Sequence, residues 1–212
     1  MTRTAWHPAF WGAIQLELDE YRDVLTFEAE YQLTAEPLKI DVVIIKKLRD
    51  IVIEKNIARI FQNYNILEYK SPNDSVSISD YHKTHCYSRS YVANNNVDIT
   101  DMSVTIVTTK RPRKLFGYLA NRFSITSSQR GIYVVEGDTS PTQIVVSREL
   151  AENENLWLTN LNKKLTSARL TRLLTEVAKH RKDTAVDAYI DVVAEANFET
   201  FQEVTMGKKL DN

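Results

Sequence analysis

The stretch Asn65–Pro72, with the sequence NILEYKSP, decides how the rest of the chain is interpreted. Apolar residues lead into it and a Ser-Pro pair follows, a pattern typical of a short β-strand that ends at Lys70. Side chains two residues apart on a strand point to the same face. Glu68 and Lys70 therefore share one face, while Leu67 and Tyr69 share the other. The acid and the base form either a surface ion pair or part of a site.

A second acidic residue, Asp41, interrupts an apolar, β-branched segment at 38–47. A strand that is apolar on both sides is usually central in its sheet and covered on both faces. A buried carboxylate without a partner is costly, so Asp41 is expected to have a partner or a metal ion. An acid on one strand and Glu-x-Lys on a neighbouring strand can form a metal-dependent phosphodiesterase site.

Composition narrows the class of protein. The 212 residues suffice for a sizeable core, and 43% hydrophobic and 26% charged residues are ordinary for a soluble globular protein. The net charge of -1 shows no bulk basicity, although a local basic groove would be enough to bind nucleic acid. The single cysteine, Cys86, excludes a disulfide framework. Without an apolar run of membrane length or the apolar core of a signal peptide, we expect a cytoplasmic protein.

Hydrophobic periodicity predicts an α/β fold. The predicted elements are a helix at 8–19, strands at 24–33, 38–47 and 66–70, a helix at 77–93 that Ser77 or Ser79 can cap, a strand at 101–108, a short helix ending near 120, and strands at 122–126, 131–136 and 142–146. The chain is predicted to be helical from 147 onward. We expect an α/β domain at 1–148 and a helical C-terminal extension at 149–212, through which the chain could form a homodimer.

Glu17 is the unusual residue of the first predicted helix. It lies at helical spacing from Phe10 and Ala13, and therefore falls on the apolar stripe. Either the amphipathic pattern simply ends there, or Glu17 is a buried acid that belongs to a site.

These residues together carry a family resemblance. Asp41 followed by Glu68-Tyr69-Lys70, in the order helix–strand–strand–strand–helix–strand, resembles the PD-(D/E)XK nuclease superfamily. The proline that names the motif is absent, since Ile40 precedes Asp41. A group of prokaryotic transposase-like proteins related to recombination-promoting nucleases is similar in the segments 7–11 (HPAFW), 13–17 (AIQLE), 39–47 (KIDVVIIKK) and 65–72 (NILEYKSP), and the similarity extends to about residue 158.

The resemblance implies a restriction-endonuclease-like αβββαβ core, in which helices flank a mixed central sheet, with extra short strands. It implies a Mg²⁺- or Mn²⁺-dependent endonuclease that hydrolyses DNA, with a role in transposition, recombination or defence. Asp41, Glu68 and the backbone carbonyl of Tyr69 would be metal ligands, and Glu17 would complete or orient the metal site. Lys70 would orient the attacking water or stabilise charge on the phosphate. Hard oxygen ligands of this kind suit Mg²⁺.

Two groups of residues are candidates for DNA contact. Lys83 and Tyr87 lie one turn apart on the predicted helix at 77–93, and either could contact phosphate or support Lys70. Arg111 and Arg113 belong to the basic run KRPRK at 110–114. Such runs are more often solvated loops, and the proline within this one can start a helix.

Other site types have less support. His82, His85 and Cys86 cluster on one helix but lack the number and spacing of zinc ligands. There is no Gly-x-Ser-x-Gly elbow, dinucleotide fingerprint or P-loop, which disfavours a serine hydrolase, a dehydrogenase and an ATPase. The alternative to a nuclease is a non-catalytic nucleic-acid-binding or assembly module that retains a nuclease fold.

Overall fold

The computed structural model describes residues 6–29, 42–180 and 183–210. The chain divides into two compact units, one at 20–150 and one that combines residues up to 19 with residues from 151 onward. The parts of the predicted strands at 30–33 and 38–41, including Asp41, lie outside the described residues. The division at residue 148 that the sequence predicts stays a prediction.

The elements follow the predicted order. The strands are β1 (Leu25–Ala29), β2 (Val42–Lys47), β3 (Tyr64–Lys70), β4 (Met102–Thr108), β5 (Ser124–Gln129), β6 (Ile132–Glu136) and β7 (Thr142–Val146). The helices are α1 (Trp6–Glu17), α2 (Ile78–Asn95), α3 (Arg113–Ala120), α4 (Leu156–Asn160), α5 (Ser167–Val177), α6 (Thr184–Ala196) and α7 (Phe198–Leu210). Short 3₁₀ turns connect several of them. The prediction of an α/β protein is confirmed.

In the residues of the unit at 20–150 that the structure describes, seven strands form one mixed sheet in the order β1-β2-β3-β4-β7-β6-β5. Neighbours β1, β2 and β3 are antiparallel, whereas β4 runs parallel to β3 and β7 runs parallel to β4. Lys70 pairs with Thr108, and Thr108 pairs with Val146. The carboxyl ends of three parallel strands therefore lie side by side, which is where α/β sheets commonly place their sites.

Helices α2 and α3 cover one face of this sheet. All of β4 is buried, as expected for a central strand rich in β-branched residues. The core on this face combines residues of both helices, and Val76 just before α2, with residues of three strands: Val76, Tyr81, Val104, Ile106, Leu115, Leu119, Tyr133, Val135, Ile144 and Val146. Ser77 caps the start of helix α2, which confirms one of the two predicted caps, and Asn96, whose φ of 52° is left-handed, caps its end.

Polar side chains on the opposite face tie loops to the sheet. Asn65 is fully buried, donates hydrogen bonds to the carbonyls of Ile45 and Gln62, and accepts one from Ser103 at 2.6 Å. Gln143 donates to the carbonyl of Ile57 at 2.6 Å, which anchors the segment between β2 and β3. Hydrogen bonds of this kind offset the cost of burying amide groups.

The second unit is helical. Helix α1 packs closely on α6, because Gly12 has no side chain where a Cβ would clash with the carbonyl oxygen of Ala185. Tyr189 of α6 donates a hydrogen bond to the carbonyl of Trp157 at 2.9 Å. The predicted homodimer through these helices stays a prediction. In the described part of the chain, no helix has the length and apolarity needed to cross a membrane.

Candidate active site

Lys70 lies at the centre of a small charged network. Its Nζ is 3.0 Å from Oε1 of Glu68 and 3.1 Å from Oδ1 of Asp80. The Glu68–Lys70 ion pair is therefore formed, and a second carboxylate from the following helix joins it. One ammonium group bridges two acids.

The strand period places the first two members of this network. Glu68 and Lys70 lie on the face of β3 that α2 covers, as the alternation of side chains on a strand requires. Glu68 is only 7% exposed. In the sheet it pairs with Val42 of β2 on one side and with Ile106 of β4 on the other. Lys70 is the last residue of the strand and is partly exposed, so the network opens at the carboxyl end of β3.

The first turn of α2 supplies the third member. Asp80 and Ser77 form a capping box: Ser77 Oγ accepts from the Asp80 amide at 3.1 Å, and Asp80 Oδ2 accepts from the Ser77 amide at 2.8 Å. Asp80 is therefore a first-turn residue of α2. The ion pair between Asp80 and Lys70 is not among the features predicted from the sequence, although the sequence contains a pattern that indicates it. A Ser-x-x-Asp sequence soon after a strand end places a carboxylate close to that end.

Burial and charge act in opposite directions on Lys70. Burial favours a lower pKa, but the carboxylates of Glu68 and Asp80 outweigh it, so the pKa of Lys70 lies above its ordinary value. For Asp80, burial favours a higher pKa, but hydrogen bonds from Ser77 and Lys70 hold the pKa below its ordinary value. At neutral pH the network therefore contains a charged lysine and a charged aspartate.

The two predicted contact residues of α2 have different surroundings. Tyr87 is half-buried beside the network, and burial together with the charge of Glu68 raises its pKa. Lys83 is exposed. The charges of Glu68 and Lys70 therefore act on the Tyr87 hydroxyl, whereas support of Lys70 and phosphate contact stay predictions.

Tyr69 points away from the network. Its ring is buried on the opposite face of β3, and burial raises the pKa of its hydroxyl above the ordinary range. The predicted role of its backbone carbonyl as a metal ligand stays a prediction.

Glu17 is a buried acid, one of the two alternatives that its position on the apolar stripe left open. It is 6% exposed in the helical unit, and its Oε1 accepts a hydrogen bond from the amide of Leu158 at 2.9 Å. That amide belongs to the first turn of α4, where helix N–H groups need acceptors. The bond gives Glu17 a structural role, and its predicted part in a metal site stays a prediction.

The carboxylates of the network are chemically suitable ligands for a hard cation. Glu68 and Asp80 offer carboxylate oxygens, and Mg²⁺ takes one or two such ligands while it keeps several waters. Among the residues that the structure describes, no group of three or more His, Cys, Asp or Glu side chains is arranged to hold a metal ion. The remaining predicted carboxylate, Asp41, lies outside those residues.

The basic run starts close to the network. Thr108 pairs with Lys70, so the chain that follows β4 leaves the sheet at the same end. The guanidinium of Arg111 lies 5.2 Å from the ring centre of Phe116 and 4.7 Å from that of Tyr133. Arg113 is exposed at the start of α3. Arg111 therefore stacks on two aromatic rings, and it also forms a hydrogen bond with the Tyr133 side chain.

The histidines predicted to be poor zinc ligands have other partners. His82 forms a 2.8 Å hydrogen bond with the hydroxyl of Tyr118, while Nε2 of the buried His85 lies 3.4 Å from Asp138. Burial lowers the pKa of His85 despite the opposing charge of Asp138. These contacts connect α2 to α3 and to the turn after β6.

Comparisons of the chain with the models of known protein families, with curated proteins and with solved structures find no match. The candidate site is therefore defined by its geometry: a buried glutamate and a lysine on one strand face, and a helix-capping aspartate that shares the lysine.

Proposed function

We propose that the chain is a Mg²⁺-dependent endonuclease that hydrolyses DNA phosphodiester bonds. The observation that carries the proposal is the placement of Glu68 and Lys70. The two side chains share a strand face at the carboxyl end of β3, with the carboxylate buried and the ammonium 3.0 Å away. A buried acid beside a fixed cation is suited to phosphate chemistry, in which negative charge grows on the transferred group.

The order of elements supports the proposed restriction-endonuclease-like core. Helix α1 precedes three strands, and α2 and β4 follow, which is the expected αβββαβ sequence. Strands β2 and β3 are antiparallel, while β4 is parallel to β3 and is reached through α2. The strands β5, β6 and β7 are the extra short strands of the same proposal.

Glu68, Asp41 and the Tyr69 carbonyl would hold the metal ion. All are hard oxygen donors, in keeping with Mg²⁺ or Mn²⁺. A bound divalent ion polarises a phosphate oxygen and lowers the pKa of a coordinated water.

Lys70 acts on the phosphate through its charge. Its ammonium carries three donors, of which the two carboxylates use part, so it can also donate to a phosphate oxygen or to the attacking water. Asp80 fixes its position from the side of α2. Because Asp80 is itself held by Ser77, Lys70 stays oriented even when the Glu68 carboxylate serves another partner.

The segment after β4 supports DNA as the substrate. Lys110, Arg111, Arg113 and Lys114 are exposed, and the segment begins beside the end of β3. Phosphate contacts from arginine and lysine position a nucleic-acid backbone without reading its sequence. A local basic segment of this kind offsets the neutral overall charge.

Cleavage of supercoiled plasmid in Mg²⁺ or Mn²⁺ tests the proposal. Glu68→Gln, Lys70→Met and Asp41→Asn should each lower the rate by about 10²-fold or more, the usual scale for losing a catalytic group. Glu199→Gln and Lys179→Met change exposed residues of the helical unit and should cleave like the wild type. Equal cleavage by the wild type and all three site variants would contradict the assignment.

A non-catalytic nucleic-acid-binding module is the second candidate. The observation that favours it is the closed network, in which both described carboxylates of the site are already turned toward Lys70. Calorimetric titration with Mn²⁺ separates the two functions. The nuclease predicts Mn²⁺ binding that Glu68→Gln weakens, whereas the binding module predicts DNA binding that Glu68→Gln leaves unchanged and no Mn²⁺ binding.

A further inference from the structure

A pocket of about 270 Å³ lies between α2, α3 and the turn after β6, away from the Lys70 network. Its lining includes Arg89 and Cys86 of α2, Tyr118 of α3, and Arg122 and Phe123, which follow α3. The volume lies just below the usual range for small-molecule sites, so it suits one small ligand.

Two arginines give the pocket its charge. Arg89 donates to the hydroxyl of Thr139 at 2.9 Å, and Arg122 donates to the carbonyl of Tyr118 at 3.1 Å. Both acceptors are neutral. Across the residues at 6–29, 42–180 and 183–210, neither guanidinium forms an ion pair with a carboxylate.

The acid of the pocket does not neutralise these arginines. Asp138 accepts a hydrogen bond from the Tyr81 hydroxyl and another from the Thr139 amide, and it faces His85. Its side chain is only 9% exposed. The two arginines therefore place accessible positive charge in the pocket. The carboxylate of Asp138 is engaged by Tyr81, Thr139 and His85.

Aromatic groups supply the rest of the surface. The guanidinium of Arg122 lies 3.9 Å from the ring centre of Tyr118, which fixes its plane. Phe123 and Tyr118 are half-buried and line the pocket. A planar guanidinium group can bind two phosphate oxygens at once. Aromatic side chains can stack against the flat ring of a base.

We propose that this pocket binds a nucleotide, with its phosphate held by Arg89 and Arg122 and its base against Tyr118 and Phe123. The ligand chemistry is a phosphomonoester that carries a base, supplied either by a free mononucleotide or by the phosphorylated end of a strand. The site goes beyond the proposed nuclease centre and does not depend on it.

Cys86 provides a built-in reporter, since it is the only cysteine of the chain, is exposed and lines the pocket. The rate at which iodoacetamide alkylates Cys86 in the full-length protein should fall in the presence of 2′-deoxyadenosine 5′-monophosphate. Deoxyadenosine and inorganic phosphate, which each lack one half of the ligand, should protect at concentrations about tenfold higher or more. A short oligonucleotide tested with and without a 5′-phosphate separates the two sources. Protection by the mononucleotide assigns the free ligand, and protection by the phosphorylated strand alone assigns the strand end.

Two variants and a control test the charge. Arg89→Gln and Arg122→Gln should each weaken protection about tenfold, the scale of one charge-assisted hydrogen bond, and calorimetry should give the same loss. Arg130→Gln removes an exposed arginine outside the pocket and should bind like the wild type. Glu68→Gln should also leave binding unchanged, which separates this site from the nuclease centre. Lack of protection by both the mononucleotide and the phosphorylated strand, or equal binding in the arginine variants, would overturn the proposal.

Discussion

The ammonium nitrogen of Lys70 lies 3.1 Å from Oδ1 of Asp80, while the other oxygen of that carboxylate accepts hydrogen bonds from the amide and hydroxyl of Ser77. One side chain therefore starts helix α2 and orients the lysine at the end of β3. The start of the helix and the geometry of the candidate site are coupled through Asp80.

Replacing Asp80 by asparagine should lower stability in a pH-dependent way. Loss of a capping contact and of an ion pair should reduce the free energy of unfolding by about 1–2 kcal/mol at pH 7. The pKa of Asp80 is depressed in the folded protein, so its contribution is present above the ordinary carboxyl pKa of 3.8 and is lost as the pH falls through the folded-state pKa. Urea unfolding at several pH values should show the two proteins converging in acid.

The matched control for this change is Asp191→Asn, which alters an exposed aspartate within α6. It should unfold within about 0.5 kcal/mol of the wild type at every pH. A deficit in Asp80→Asn that persists undiminished in strong acid would show that the carboxylate charge is not its cause.

Lys70 should titrate above the ordinary lysine pKa. Its folded-state pKa is raised above 10.5, so the ion-pair stabilisation is present below that pH and is lost as the pH rises through the folded-state value. Asp80→Asn removes one of the two carboxylates and should move the titration of Lys70 to lower pH. Lysine side-chain NMR can follow this titration, with Lys70→Met to assign the signal. Titration of Lys70 at or below the exposed lysines would contradict the network.

Asn65 should tolerate replacement poorly. Its side chain accepts from the amide of Gln62 and from Ser103, and donates to two carbonyls, with no exposure to solvent. Asn65→Leu keeps the size but leaves these buried groups without partners, at a cost of at least about 2 kcal/mol in the free energy of unfolding. Chemical denaturation measures this cost.

Asn63→Leu is the comparison for that variant. Asn63 is exposed and donates a single hydrogen bond to Asp101 at 3.0 Å. Its replacement should cost less than about 1 kcal/mol, because water can satisfy the partner that remains. Equal costs at the two positions would mean that the buried network does not stabilise the fold.

Gly12 should be intolerant of even one added methyl group. Alanine is normally the better helix former by about 1 kcal/mol. At position 12, however, its Cβ would clash with Ala185 and force α1 away from α6, with a net loss of about 1–3 kcal/mol. Gly117 of α3 has open space at its Cβ position, so Gly117→Ala should raise the thermal midpoint while Gly12→Ala lowers it. A stabilised Gly12→Ala variant would contradict the close packing of α1 and α6.

The local elements of this protein follow from its sequence. Runs of alternating or continuous apolar residues predict strands close to those at β3, β4, β6 and β7, and the pair Ser77 and Ser79 predicts the approximate start of α2. The period of a strand also predicts that Glu68 and Lys70 share a face. These features are local, because they depend on the geometry of residues a few positions apart.

The order of the strands in the sheet does not follow from the sequence in the same way. Strand β7 lies between β4 and β6, so the last strand of the chain separates two that precede it. Apolar periodicity reports which face of a strand is buried but not which strand is its neighbour. Long-range packing determines which strands are neighbours, because many weak contacts across the whole sheet contribute to it.

The candidate site also has one part that follows from the sequence and one part that depends on the tertiary structure. The sequence by itself determined that an acid and a base point to one side of β3, since that follows from the two-residue repeat of any strand. Only the tertiary structure decided that Lys70 also binds Asp80, because this contact depends on how α2 returns across the sheet after the turn at Pro72. A strand repeat is a property of neighbouring residues, whereas the third member of the network depends on the path of the chain through space.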